Sequence, residues 1–316
     1  MTDCAINTSH LTRRFGDVRA VESLSLSVPR SSVYAFLGPN GSGKTTTIRM
    51  ILGLIRADQG EVRLFGRPLD SNSRRELLSR VGAMVETPSL YPHLTGFENL
   101  RATQQLLALP RSFIERSLRI VGLEADAARL VKEYSLGMRQ RLGVAQALLS
   151  LPELLILDEP TNGFDPGGML EMRELIRRLP SEHGVTIFLS SHLLAEVEQL
   201  ATHVGIIGRG KLLFEGTLES LRSRQPQLVR IEVDQPPSAG ALLPEAGCTL
   251  VRIEDKTVLA DVGARENVPR LAATLVRAGL KLYEISAVHA SLEDMFLELT
   301  KDHKMAPVSL PVEVAP

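Results

Sequence analysis

The nine residues GPNGSGKTT, 38 to 46, constrain this chain more than any other stretch. They satisfy G-x-x-x-x-G-K-[ST], follow the wholly apolar run VYAFL (33–37), and lead into KTTTIRMILGLI, whose apolar residues recur at helical spacing. Strand, glycine-rich loop and helix form the setting in which successive backbone N–H groups curl around phosphate oxygens, with a helix N-terminus facing the anion. Gly38, Asn40, Gly41, Ser42, Gly43 and Thr46 are read as the cradle. Lys44 is read as reaching the β- and γ-phosphates, and the Thr45 hydroxyl as a ligand of Mg²⁺.

A loop of this kind needs further strands to deliver its chemistry, and three more runs qualify. VGAMV leads into Glu86, LLILD (154–158) ends on Asp158 and Glu159, and VTIFLSSH (185–192) ends on His192. Continuous apolar strands alternating with helices predict an α/β fold with a parallel sheet covered on both faces. Ligands gather at the carboxyl ends of such strands, here Gly38, Glu86, Asp158 with Glu159, and His192. Asp158 is assigned to ordering Mg²⁺, Glu159 to polarising the water that attacks the γ-phosphate, and His192 to hydrogen-bonding that phosphate and water. Glu86, in AMVETPSLYP (83–92), poses a separate problem: a charge at the end of an apolar strand must be offset by a basic partner, water or a cation.

Composition sharpens what holds the anion. The net charge of −1 supplies no general basic field, so a sequence-independent grip on nucleic acid is not expected. Cys4 and Cys248 are far apart, and no C-x-x-C or H-E-x-x-H spacing occurs. No stretch approaches the roughly 20 apolar residues that span a bilayer; the most apolar run, LLSLPELLIL, is broken by Pro152 and Glu153. Any membrane span is therefore expected on another chain.

The segment from Phe97 to about Leu149 reads as mostly helical, with turns near Pro110, Gly122 and Ser135, and Cys4 to Val33 as antiparallel strands. In EYSLGMRQRLGVAQALL, Ser135 and Gly137 stand before a helical run and offer a second anion site at a helix N-terminus, or else an ordinary N-cap. One nucleotide hardly needs two such sites, so a head-to-tail dimer sharing them is the economical reading. After about residue 222 the order β-α-β-β-α-β, followed by a short helix in SLEDMFLELT, predicts a small α+β domain over 223–303, with a tail, 304–316, expected to be disordered. No internal repeat is read.

GPNGSGKTT, YSLGMRQR, LLILDEP, TNGFDP and SSH, in this order, resemble the nucleotide-binding subunits of ABC transporters across roughly residues 4 to 222. The resemblance implies a P-loop ATPase with a RecA-like core, an antiparallel β subdomain and a helical subdomain over about 93–150. It implies ATP and Mg²⁺ as ligands, Phe15 stacking on adenine, Asp165 at a dimer interface, and Ser135 with Gly137 capping the partner's γ-phosphate. Glu86 stands where the family's glutamine joins the metal shell, which implies Mg²⁺ or its water shell as the partner that offsets its charge. Leu136 and Met138 depart from the usual glycine and glutamine, and Ser31 replaces a common turn glycine. Glu86 and YSLGM are similar to cassettes of exporters of bacitracin and lantibiotics, and HASLEDMFLELT to those of drug exporters. The family further implies a homodimer with ATP, permease subunits on separate chains, and a peripheral place on the cytoplasmic face of the membrane. The competing readings are an exporter of another cargo, lipid, ion or polysaccharide, and a soluble relative acting on nucleic acid or ribosomes, the latter disfavoured by the single cassette and near-neutral charge.

Overall fold

A computed structural model describes residues 3–222 and 227–288. The helix expected in SLEDMFLELT and the tail 304–316 lie outside the described residues. The chain divides into two compact units between Leu218 and Glu219, a little before the boundary at 222 read from the sequence.

The first unit contains two sheets. The antiparallel one joins β1 (Cys4–Phe15), β2 (Val18–Leu24), β3 (Ser27–Pro29), β5 (Gln59–Leu64) and β6 (Arg67–Pro68). Its last two strands are short and polar, and sequence reasoning passed over them. The other sheet holds β4 (Val33–Leu37), β7 (Val81–Met84), β8 (Leu154–Asp158), β9 (Thr186–Ser191), β10 (His203–Gly208) and β11 (Lys211–Thr217), in the order β11-β10-β4-β9-β8-β7. Every pairing in it is parallel except β10 with β11. β4, β8 and β9 are buried along their whole length, which is why they read as unbroken apolar runs. Tyr34 stacks on Phe188 with ring centroids 5.5 Å apart, and its hydroxyl donates to Glu215. Gly205 leaves that ring its space, since a Cβ there would lie 2.3 Å from the Tyr34 hydroxyl.

The helices of this unit are α1 (Lys44–Ile51), α2 (Arg74–Leu78), α3 (Gly96–Leu106), α4 (Ser112–Ile120), α5 (Leu136–Leu148), α6 (Pro166–His183) and α7 (Leu194–Leu200); α8 (Leu218–Arg222) straddles the division between units. α1 stops short of the predicted helical run, at Leu52, and the next residue, Gly53, has φ +63°, a left-handed stop. α3 starts with a capping box, Thr95 and Glu98 bonding each other's backbone N–H. α5 lies directly on β7, because a Cβ at Gly82 would meet the Ala147 carbonyl at 2.1 Å. Ser31 has φ +54°. That left-handed backbone is the physical reason a glycine suits the position, and the serine carries the strain.

The second unit builds its own core from Val229, Ile231, Val258, Ala260, Leu271 and Leu275 among others. β12 (Leu228–Val233), α9 (Pro236–Leu242), β13 (Thr249–Glu254), β14 (Thr257–Asp261), α10 (Asn267–Arg277) and β15 (Leu282–Val288) follow the order β-α-β-β-α-β. The sheet order is β13-β14-β12-β15, all antiparallel, so each helical crossover leaves one strand between the two it connects.

Candidate functional site

The phosphate loop leaves β4 at Leu37 and enters α1 at Lys44. Gly43, the N-cap of α1, has φ +108° and a Cβ there would sit 2.4 Å from the Ala20 carbonyl, so only glycine fits. No side chain caps α1. The first N–H groups of the helix, on Lys44, Thr45 and Thr46, are therefore free of intrahelical partners and open to an anion. The Ser42 hydroxyl, in a residue 3% exposed, has no hydrogen-bond partner among the described residues. An orphaned buried hydroxyl, uncapped amides and positive-φ glycines are what a bound polyphosphate satisfies. Asn40 and Gly41 lie exposed on the loop's rim.

Three polar side chains meet beside this loop. Lys44 Nζ donates to the Gly38 carbonyl at 2.8 Å and the Pro39 carbonyl at 3.3 Å, and lies 3.2 Å from Glu159 Oε1. The other carboxylate oxygen, Glu159 Oε2, is 3.0 Å from His192 Nδ1. Lysine, glutamate and histidine, each on a different element, thus form one chain of contacts. Glu159 holds a left-handed backbone, φ +48°, and its N–H donates to Ser190 Oγ at 2.9 Å. The same Ser190 hydroxyl donates to Asp158 Oδ1 at 2.5 Å. Asp158 is buried, and among the described residues its second oxygen receives no hydrogen bond, which leaves an acceptor for a hard cation or its water.

Other predicted residues stand apart from this cluster. Phe15 ends β1 and is 47% exposed beneath the Arg13 guanidinium, so it is a surface ring and not a core one. Ser135 caps α5, its Oγ accepting from Met138 N–H at 3.1 Å, with Gly137 in the first turn. Asp165 caps α6 and accepts from Gly168 N–H at 3.2 Å. Both are exposed. Leu136, where the family commonly has glycine, reaches within 3.4 Å of where a Cβ on Gly163 would be, so it fills space against the Asp165 loop.

Glu86 answers its question through a basic partner: Arg49, on the last turn of α1, is ion-paired with it. Both side chains are exposed, and Glu86, like Glu159, has positive φ, +62°.

Sequence reasoning missed Ser190 and Glu196. Glu196, on α7 and nearly buried, accepts from Thr161 Oγ1 at 2.7 Å and Ser191 Oγ at 3.4 Å. It thereby ties the loop after Glu159 to the strand end before His192. Its one sequence signal was an acid on the apolar side of a short helix, in LLAEVEQL.

A sheet with a phosphate loop, a buried aspartate and a glutamate–histidine pair at its strand ends defines a P-loop nucleotide hydrolase. Residues 21–162 match the family described as ABC transporter. The bacitracin transport ATP-binding protein BcrA of Bacillus licheniformis is 41% identical over 303 residues, 93% of this chain and 96% of the relative. The daunorubicin/doxorubicin resistance ATP-binding protein DrrA of Streptomyces peucetius is 36% identical over 94% of this chain and 92% of its own length. Among solved structures, an ATP-binding subunit of an ABC transporter superposes with a TM-score of 0.62 at 29% identity, covering 70% of this chain and 92% of that one. The chain belongs to the ATP-binding subunits of ABC transporters, and it is an ATPase.

Proposed function

We propose that this chain powers the export of an antibiotic, peptide or drug-like, through permease subunits carried on separate chains, at the cytoplasmic face of the membrane. Full-length similarity to BcrA and DrrA supports the cargo class. Among the described residues no helix is long and apolar enough to cross a membrane, so the path for the cargo is assigned to the permease.

The observation that carries the chemistry is the Lys44–Glu159–His192 chain of contacts beside the phosphate loop. Bound ATP supplies phosphate oxygens that replace the carbonyls and carboxylate now around Lys44. Glu159, released from that lysine, is a general base: the water oxygen attacks the γ-phosphorus, the bond to the β-phosphate oxygen breaks, and the proton goes to the Glu159 carboxylate. His192 orients the water and the γ-phosphate. Thr45, Asp158 and, by its place in the family pattern, Glu86 would hold Mg²⁺, which would supply neutralisation of the charge that develops on the phosphates. Release of Glu86 from Arg49 is the condition for that last assignment.

The cassette works as a head-to-tail homodimer, Ser135 and Gly137 of each copy closing on the other's nucleotide and Asp165 lying between the two sites. Exposure of the Ser135 cap and the Asp165 cap supports this, since both are open to contact by a second copy. Sedimentation of the purified Glu159→Gln chain tests it: saturating ATP converts monomer to dimer, and adding Ser135→Arg abolishes the conversion. A Glu159→Gln chain that binds ATP yet stays monomeric defeats the dimer reading. Co-purification with a hydrophobic membrane subunit tests the transporter partner, and isolation with ribosomes or nucleic acid instead would reverse it.

A further inference from the structure

The pentapeptide Leu-Val-Arg-Ile-Glu occurs twice in the second unit, at 228–232 in β12 and 250–254 in β13. This short repetition corrects the reading of no internal repeat. From the arginine onward both copies pair with β14 in one register: Arg230 and Arg252 lie opposite Leu259, Ile231 and Ile253 opposite Val258, and Glu232 and Glu254 opposite Thr257. Their other edges differ. β12 carries β15 there, with Ile231 opposite Ile285. β13 ends the described sheet with all six residues exposed, among them Leu250 at 45%, Val251 at 50% and Ile253 at 41%. One sequence, in one local setting, has a strand on both edges in the first case and on one edge in the second.

We propose that the free edge of β13 pairs with β13 of a second copy of this chain, antiparallel about a two-fold axis at Ile253, joining two four-stranded sheets into one. The tripeptide Arg252-Ile253-Glu254 is self-complementary in that register. Each arginine faces the glutamate of the other copy, and the two isoleucines face each other on the opposite side of the sheet. An axis at Arg252 would set arginine against arginine, and one at Glu254 glutamate against glutamate, so charge selects the isoleucine-centred register. Within one chain Arg252 and Glu254 neutralise each other at 3.1 Å and both are largely exposed, so neither is committed to the fold. The Ile253 side chain lies over α9, near Gly240, so the isoleucine contact would extend an apolar surface that the unit already has.

The bulge between Leu250 and Arg252 limits the regular edge to a few residues. The contact is therefore weak between free chains and becomes effective when a transporter holds two copies close together. It uses no residue of the nucleotide site and needs no ATP.

Sedimentation velocity of the full-length, nucleotide-free protein tests the proposal. The unaltered chain associates with rising concentration, and less so at high salt. Arg252→Glu and Glu254→Arg each weaken self-association by about tenfold, because each sets like charges against one another twice. An equimolar mixture of the two variants restores association, since one copy then presents two acids and the other two bases. Hydrogen exchange gives a second reading, in which β13 amides of the unaltered chain become more protected as concentration rises. A chain that remains monomeric to its solubility limit, a mixture no tighter than either variant alone, or β13 amides indifferent to concentration overturns it. ATP-driven dimerisation of Glu159→Gln is measured separately, so failure here leaves the nucleotide-bound dimer standing.

Discussion

Glu159 and Glu86 follow neighbouring strands of one parallel sheet, β8 and β7, and both hold a left-handed backbone. The surroundings separate them. Glu159 is 22% exposed between Lys44 and His192, whereas Glu86 is 59% exposed against Arg49 alone. Coulomb attraction at a given distance is several times stronger in a partly desolvated site than beside bulk water. A strand end therefore puts an acid within reach of the chemistry, and partial burial between fixed partners is what supports the base role proposed for Glu159.

The same substitution at both places is the strongest way to break that comparison. Glu159→Gln lowers kcat for ATP by about 10²- to 10⁴-fold, the usual worth of a positioned base, whereas Glu86→Gln leaves it within about threefold, as befits an exposed pair. Equal losses in a steady-state phosphate-release assay would end the distinction. His192→Ala comes next, with kcat down about 10- to 100-fold and KM little changed, the effect of losing one hydrogen bond to a charged group. Glu196→Ala leaves Thr161 without its acceptor and removes one of the two that Ser191 has, the Leu193 carbonyl remaining. It costs about 1–3 kcal/mol in denaturant unfolding, while Glu196→Gln, which keeps an acceptor, recovers most of that. Arg49→Ala changes stability by no more than about 1 kcal/mol, but it frees Glu86 and lowers the Mg²⁺ concentration for half-maximal ATPase. An unchanged Mg²⁺ requirement counts against a metal role for Glu86.

The smallest effect lies just before the opposite end of β8. There a hydrogen bond from Arg80, with Arg30 alongside, holds the Glu153 carboxyl below the usual carboxylate range despite some burial. A depressed folded value contributes stability above the unfolded value, about 4.3, and loses it as pH falls through the folded value. With Glu153 44% exposed the contribution is below about 1 kcal/mol. Acid unfolding of Glu153→Gln should show a correspondingly shallower loss below about pH 5 than the unaltered chain.

Much of the nucleotide half was legible without coordinates. VYAFL and LLILD were read to the residue, because a strand buried on both faces has no polar positions to blur its ends. The loop motif was legible because its glycines answer a local backbone demand. β5 and β6 were not, since QGEVRL and RP are too short and polar to show a period. The order of β12 to β15 was legible, but the exposure of β13 was not, because identical pentapeptides carry no sign of which one ends the sheet.

By itself the sequence determined the phosphate loop, the acids and histidine at its strand ends, and the α/β class, all of which follow from residues within a few positions of one another. The tertiary structure alone decided which partners those side chains have. Arg49 meets Glu86 across 37 positions, Glu196 meets Thr161 across 35, and Ser190 joins Asp158 across 32. Such contacts depend on which strands lie side by side, and that is settled by packing the whole sheet between its helices, a long-range outcome that no local pattern encodes.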